Sequence, residues 1–169
     1  MDTVDYYDSL AYDLPDSWVA DLLEAGCPIN QPDTFDSYIL CAACERMQLE
    51  NVKLALAAGA DPNCQNSEDN TPLLCAIDYS HHNPVAAYEI VNALLAAGAD
   101  IEIRGYMDKT PFLKACTRGC LDILKLLVSA GSDIHAVTFA PDSFNAIDCA
   151  TTFDNSSEFK AYVFGLFRT

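Results

Sequence analysis

The chain has 169 residues and carries 25 Asp and Glu residues against 9 Lys and Arg residues, which gives a net charge of −16 at neutral pH. So acidic a surface argues against nucleic acid as a partner, because it would repel the phosphate backbone. Hydrophobic residues make up 51% of the chain, enough for one domain, but no stretch reaches the ~18 apolar residues of a transmembrane helix.

The N-terminal segment is acidic. Residues 1–5 lack the basic start and the apolar stretch of a secretion signal, so we expect a cytoplasmic protein. The first 45 residues contain ten Asp and Glu residues and no Lys or Arg. A partner with a basic surface would complement this end and associate with it faster. The alternative is that the acidity serves solubility alone.

A sequence motif of two apolar residues, two mostly small residues and a glycine occurs four times. Its glycines, Gly26, Gly59, Gly98 and Gly131, are 33, 39 and 33 residues apart. The apolar residues before each glycine have the spacing of an amphipathic helix, and glycine suits the left-handed position after a helix. A period near 33 residues predicts an array of stacked repeats, which typically binds another macromolecule rather than catalysing a reaction.

The glycine spacing divides the chain into about five units, approximately residues 1–30, 31–63, 64–102, 103–135 and 136–169. In the first unit only the second helix is legible; it follows Pro15 and has Asp16 or Ser17 as its cap. In the last unit, residues 145–150 resemble a first helix and 158–167 would form the second. Degraded ends are expected, because the outer faces of terminal repeats meet water.

Thr-Pro pairs mark the first helices of the third and fourth units. In Thr71-Pro72 and Thr110-Pro111, threonine can cap the helix and proline suits its first turn. Tyr38-Ile39 stands in that place in the second unit. The third unit holds six extra residues within 79–88, which are predicted to lengthen the turn between its two helices. Such insertions map to loops and are sometimes part of a binding face.

The segment 71–76 and the Gly98-Ala99-Asp100 ending closely resemble the ankyrin repeat, whose signature is Thr-Pro-Leu-His-x-Ala with a Gly-Ala-Asp ending. The resemblance covers roughly residues 3–165. It implies an all-α solenoid of about five helix-turn-helix units with hairpin loops and degenerate terminal caps. It also implies a protein-binding function.

Neither the cysteines nor the histidines form a pattern that predicts catalysis or metal binding. We interpret all eight cysteines as structural, because five lie on predicted first helices, where small apolar residues belong. Cys41 and Cys44 have C-x-x-C spacing but lack the βαβ context of a redox motif and a second ligand pair for zinc. His81 and His82 are adjacent, with no further ligand in view. No enzyme activity, cofactor or small-molecule substrate is predicted.

Ankyrin proteins usually bind through a concave face of hairpin tips and exposed edges of the first helices. Projected onto this chain, the resemblance implies a face that combines large apolar side chains, acids and a few cations: Phe35, Glu45, Arg46, Glu68, Asp78, Tyr79, Tyr106, Met107, Lys109, Arg118, Asp142 and Phe144. Aromatic residues, Met and Arg are enriched in interfaces. We therefore predict an aromatic groove rimmed by acids, in which Lys109 and Arg118 provide local positive charge. The alternative is that Phe35 and Phe144 pack under their own hairpins.

In size and architecture the chain resembles compact bacterial ankyrin-repeat immunity proteins, which are encoded beside the toxins that they neutralise. This resemblance implies a dedicated inhibitor that occludes a basic partner protein. The alternative is a host-directed effector or viral ankyrin adaptor that recruits or sequesters a cellular protein. Adaptors usually carry a second functional segment, whereas the repeats occupy nearly all of this chain, which favours the inhibitor.

Overall fold

The computed structural model describes residues 15–139, 143–152 and 156–168. Across these ranges the chain is helical and has no strand, which confirms the all-α prediction. A single 3-10 turn at Tyr106–Asp108 accompanies the described α-helices. The helices are α1 (Trp18–Glu24), α2 (Ile39–Glu45), α3 (Leu49–Ala57), α4 (Pro72–Asp78), α5 (Pro84–Ala96), α6 (Pro111–Arg118), α7 (Leu121–Ser129), α8 (Ala146–Thr152) and α9 (Ser157–Leu166).

The helices form two layers along the array. In the inner layer α2, α4, α6 and α8 pack side by side in chain order, and in the outer layer α1, α3, α5 and α7 do the same. From the second unit to the fifth, the second helix also packs on the first, up to α9 on α8. One apolar core therefore runs through the array, from Trp18 in the first unit to Phe159 and Val163 in the last. No helix of the described residues has the length and apolar character to cross a bilayer.

Side-chain caps fix where the inner helices begin. Thr71 Oγ1 accepts a hydrogen bond from the N–H of Leu74 at 3.3 Å, and Thr110 Oγ1 accepts one from the N–H of Leu113 at 3.3 Å. In both helices proline follows the threonine at the first helical position, as the Thr-Pro pairs predicted. Tyr38 caps α2 without a side-chain hydrogen bond, so α2 depends more on the burial of its apolar residues.

The third unit takes up its extra residues mostly in a helix. α5 has 13 residues, whereas α3 and α7 have 9 each. The turn before α5 spans only residues 79–83, and the side-chain oxygen of Asn83 ends it by accepting from the N–H of Ala86 at 3.1 Å. This turn is longer than residues 46–48 and 119–120, the equivalent turns of the second and fourth units, as predicted, but most of the extra residues lie in α5. Ala87, Ile90 and Leu94 are buried along the longer helix and hold it on the core.

Asparagine side chains join successive units. Asn30 Nδ2 donates to the carbonyl of Gly59 at 3.0 Å, and Asn30 Oδ1 accepts from the N–H of Asp61 at 2.8 Å. Asn63 makes the equivalent bonds with Gly98 and the third unit's end, at 3.2 and 2.7 Å. Because each bond bridges a unit boundary, the units cannot slide relative to one another without breaking them.

The cysteines are all free, and those on the inner helices are buried: Cys41, Cys44, Cys75, Cys116 and Cys149. Cys27, Cys64 and Cys120 are half-buried. Burial raises the pKa of the Cys44 thiol well above its usual range. Cys44 therefore stays protonated and packs as a small apolar group, as the sequence interpretation expects of such positions.

Candidate protein-binding surface

Hairpins of the same geometry precede α2 and α4. In the hairpins 33–37 and 66–70 the first N–H donates to the last carbonyl, at 2.9 Å from Asp33 to Ser37 and 3.0 Å from Asn66 to Asn70. The side-chain oxygen of the first residue also accepts from two N–H groups of its own hairpin, at 2.8 to 3.1 Å. Local sequence therefore fixes the shape of these tips in the free protein.

The hairpin 105–109 is built differently. Gly105 again donates its N–H to the last carbonyl at 3.1 Å, but it has no side chain to bind the tip. Instead the N–H of Tyr106 donates to Asn70 Oδ1 at 3.2 Å, which ties this hairpin to the preceding one. Asp108 has the left-handed backbone that Asp36 and Asp69 have at the same position of their hairpins, and Met107 adds a second left-handed residue, with φ of 59°. This conformation is costly for residues other than glycine, and such strain is concentrated at functional sites.

The predicted apolar residues of the face are exposed. The side chains that the solvent reaches are Phe35 (69% exposed), Met107 (61%), Tyr106 (57%), Tyr79 (39%) and Phe144 (39%). Phe35 therefore does not pack under its own hairpin. Together with the hairpin tips, these residues define what we call the candidate surface.

The fifth unit adds two exposed apolar residues that the sequence interpretation missed, Phe139 (74% exposed) and Val137 (46%). The N–H of Phe139 donates to Asp108 Oδ2 at 2.9 Å, and the Arg104 guanidinium lies 5.4 Å from the centre of its ring. These contacts hold Phe139 beside the hairpin 105–109. The repeat period could have found it, because Phe139 follows Tyr106 by one period of 33 residues.

In the fifth unit the two described residues that bond to each other before α8 lie further apart in the sequence. The N–H of Thr138 donates to the carbonyl of Phe144 at 3.0 Å, and the N–H of Phe144 donates to Thr138 Oγ1 at 2.9 Å. The closing residues are six apart, whereas Asp33 and Ser37 are four apart. Asp142, a predicted site residue, lies outside the described residues.

Two predicted acids lie near Tyr79. Glu45 is half-buried, and burial raises the pKa of its carboxyl group. The Cys75 thiol donates to Glu45 Oε1 at 3.5 Å. Glu68 is exposed and accepts from Asn70 Nδ2 at 3.2 Å. Partial burial, and then the negative charges of Glu45 and Glu68, raise the pKa of Tyr79, so this part of the candidate surface has a negative potential.

The third predicted acid of this region, Asp78, is held by two cations of the next unit. Lys114 Nζ lies 3.2 Å from Asp78 Oδ2, and the guanidinium of Arg118 contacts Asp78 Oδ1, with its Nε at 2.6 Å. The Lys114 side chain is only 5% exposed and was not identified from the sequence. Arg118 was predicted as a contrasting cation, and in the structure it neutralises Asp78.

Two further predicted cations lie against the chain itself. Lys109 is only 9% exposed at the base of its hairpin, and burial lowers the pKa of its ammonium group. Its burial takes it out of the exposed part of the candidate surface. Arg46 is exposed, with its guanidinium 5.9 Å from the ring centre of Trp18 and one N–H bonded to the carbonyl of Ala42 at 3.3 Å.

Outside the candidate surface, the described residues do not form a cluster suited to binding a metal ion. Nowhere in those ranges do three or more His, Cys, Asp or Glu side chains gather in a way that could hold a metal ion. The rings of His81 and His82 lie with their centres 4.0 Å apart and tilted by 39° in the turn before α5. The aromatic and acidic residues of the candidate surface are therefore the main feature that a partner could recognise.

A sequence model of the ankyrin-repeat family matches residues 11–105 and 40–138, with three copies of the repeat. These matches span well over half of the chain, and the chain belongs to the ankyrin-repeat family. Ankyrin repeats form a non-catalytic fold that serves as a protein–protein interaction module. No curated protein sequence matches the chain.

Proposed function

We propose that this ankyrin-repeat protein is a dedicated inhibitor of the immunity-protein type, which binds a partner with a basic surface and occludes it. One observation carries the proposal: large apolar side chains stand exposed on the hairpins of the second and fourth units and at the start of the fifth, with Phe35, Tyr106, Met107 and Phe139 all more than half exposed. Several exposed aromatic residues on one face of an array are typical of a protein-interaction site. Aromatic anchors also dominate the binding energy of many interfaces.

The charge of the chain supports a basic partner. Glu45 and Glu68 create a negative potential around Tyr79, and Lys or Arg side chains of a partner would neutralise it. A tyrosine ring beside two carboxylates also suits an arginine, which can bind the acids and stack on the ring. Asp78 contributes less, because it is already paired with Lys114 and Arg118.

The rigidity of the surface supports inhibition. The hairpins are shaped by their own hydrogen bonds, and asparagine side chains lock neighbouring units together. A surface that is formed before binding loses little conformational entropy when a partner arrives, which favours tight binding. Tight binding of a rigid body over a basic functional region would block that region sterically.

The test is affinity capture from a lysate of the source organism at low and at moderate salt, followed by an activity assay of the captured protein. A double variant, Tyr106→Ala with Phe144→Ala, should weaken binding by several kcal/mol, on the order of 2 for each hot spot. Val85→Ala is the matched control, because Val85 is 76% exposed but lies on the outer helix α5.

The inhibitor proposal requires three results together. One protein must be captured in a fixed ratio to the chain, and its activity must fall in the complex. The double variant must fail to capture this protein, whereas Val85→Ala must still capture it. A captured protein that stays active would instead support the adaptor. Unchanged affinity of a correctly folded double variant would refute the candidate surface.

A further inference from the structure

Two free thiols meet between the second and third units. The Sγ atoms of Cys41 and Cys64 lie 3.9 Å apart. Cys41 is buried in the inner helix α2, and Cys64 is half-buried in the segment that leads into the hairpin 66–70. The sequence interpretation treated both as structural, and the protein-binding function does not use this pair.

We propose that Cys41 and Cys64 form an oxidation site, at which a peroxide converts the two thiols into an intramolecular disulfide. A disulfide bond is about 2.05 Å long, so the sulfur atoms must approach by about 2 Å. The Cys64 side chain is partly open to solvent, whereas Cys41 is buried in α2, so the proposal assigns this movement to Cys64. The proposal is independent of the proposed inhibitor function.

The different burial of the two thiols sets the order of the reaction. The more exposed Cys64 reacts first: its thiolate attacks the peroxide, a sulfur–oxygen bond forms, the oxygen–oxygen bond breaks, and one water leaves. The sulfur of Cys41 then attacks this sulfenic acid. The sulfur–sulfur bond forms as the sulfur–oxygen bond breaks, and the hydroxyl group leaves as a second water with the proton of Cys41. The thiols lose two electrons, and the peroxide gains them.

Burial keeps Cys41 out of the first step, and its position 3.9 Å from the Cys64 sulfur makes it the thiol that reacts second. Its contact with the Cys64 thiol, its contact with Cys75 and its burial all raise the pKa of the Cys41 thiol, so Cys41 keeps its proton until the sulfenic acid is beside it. This makes the second step slow, and the oxidation should be followed over hours rather than seconds.

The bridge would join α2 to the start of the next hairpin, across 23 residues of chain. A cross-link over such a loop restricts the unfolded chain and stabilises the folded one. We therefore expect the oxidised protein to unfold at a higher urea concentration than the reduced protein, and dithiothreitol to reverse the shift.

The experiment treats the full chain with hydrogen peroxide at pH 8, blocks the remaining thiols and maps disulfides by mass spectrometry without reduction. Cleavage before Asp residues separates Cys64 from Cys75 but leaves Cys41 and Cys44 on one peptide. Cys44→Ser is therefore the matched control, since Cys44 lies one turn from Cys41 on the same helix and is equally buried.

The proposal requires a peptide bridged from Cys64 to the 41–44 segment in the native chain and in Cys44→Ser, and its absence in Cys64→Ser. Cys64 is half-buried, so this last variant should fold even if substitution of the buried Cys41 does not. A bridge from Cys64 to Cys75, irreversible oxidation of Cys64 without a bridge, or unreacted thiols in the folded protein would each overturn it.

Discussion

Gly105 occupies a position where no side chain fits. A Cβ atom there would lie 2.5 Å from Leu74 Cδ1 and 2.6 Å from Asn70 Oδ1. Its φ of −121° is open to any residue, so the requirement is space and not backbone freedom. We expect Gly105→Ala to lower the free energy of unfolding by about 1–3 kcal/mol, measured by urea denaturation, because Leu74 or the hairpin must move.

Gly165→Ala is the control for this prediction. Gly165 lies within α9, and a Cβ atom there would meet nothing within 4 Å. Alanine at such a helical position should stabilise the protein by about 0.5–1 kcal/mol, since it has the better helix propensity. Equal effects of the two substitutions would show that crowding at Gly105 is unimportant.

The ion pair of Asp78 with Lys114 predicts a second large effect. Asp78→Ala would leave Lys114, whose side chain is 5% exposed, without the carboxylate that it contacts. We expect a loss of about 2–4 kcal/mol in the free energy of unfolding, because a buried cation loses its counter-charge. The measurement is again urea denaturation.

Glu50→Ala is the matched control for Asp78→Ala. It removes the partner of Lys53, in a pair whose side chains are 81% and 53% exposed. Solvent screens such a pair, so its loss should cost about 0–0.5 kcal/mol. A comparable cost for both substitutions would contradict the role assigned to burial of Lys114.

Between neighbouring units, the residue at the end of the third unit makes only one of the two hydrogen bonds that the asparagine at the same position makes in the earlier units. Glu102 stands where the second unit has Asn63, and its Oε1 accepts from the N–H of Asp133 at 2.8 Å. A carboxylate cannot also donate to the carbonyl of Gly131, as Asn63 does to its equivalent. We expect Glu102→Asn to raise the free energy of unfolding by about 0.5–1.5 kcal/mol in thermal or urea denaturation.

Glu102→Ala tests the same link in the opposite direction. It removes the acceptor for the Asp133 N–H, so the protein should lose stability. If the alanine and asparagine variants were equally stable, hydrogen bonding at this boundary would not be what joins the third and fourth units.

How far the sequence predicted each element depended on how local its determinants are. The starts of α4 and α6 were predictable, because Thr-Pro caps act within one turn. The insertion was assigned to the turn, whereas Asn83 and Pro84 start α5 early and extend it. Those two residues carry an ordinary helix-start signal, an asparagine cap followed by proline, which is as local as the Thr-Pro caps.

The candidate surface depends partly on contacts that are not local, and these could not be predicted from the sequence. Exposure of Phe35 and Tyr106 followed from the repeat position, but the burial of Lys109 and the pairing of Arg118 with Asp78 did not. The pairing of Arg118 with Asp78 joins side chains of neighbouring units that are 40 residues apart in the sequence. A repeat pattern gives each residue its place within a unit, but not the partner that it meets across the boundary.

Over the whole molecule, the charge predicts how the partner should arrive. The net charge of −16 and the cation-free first 45 residues produce a long-range field that attracts a basic surface before contact. Salt screens such a field, with a Debye length of about 10 Å at 0.1 M. We expect the association rate constant to fall about tenfold or more between roughly 0.02 and 0.2 M salt, while the dissociation rate changes little.

Stopped-flow or surface binding kinetics with the captured partner would measure both rates. Glu68→Gln should slow association at low salt and matter less at high salt, because Glu68 is an exposed acid of the candidate surface. Glu89→Gln is the control, since it removes an equal charge from the outer helix α5. An association rate that did not depend on salt would mean that the acidity only keeps the protein soluble, and the aromatic residues alone would then have to account for recognition.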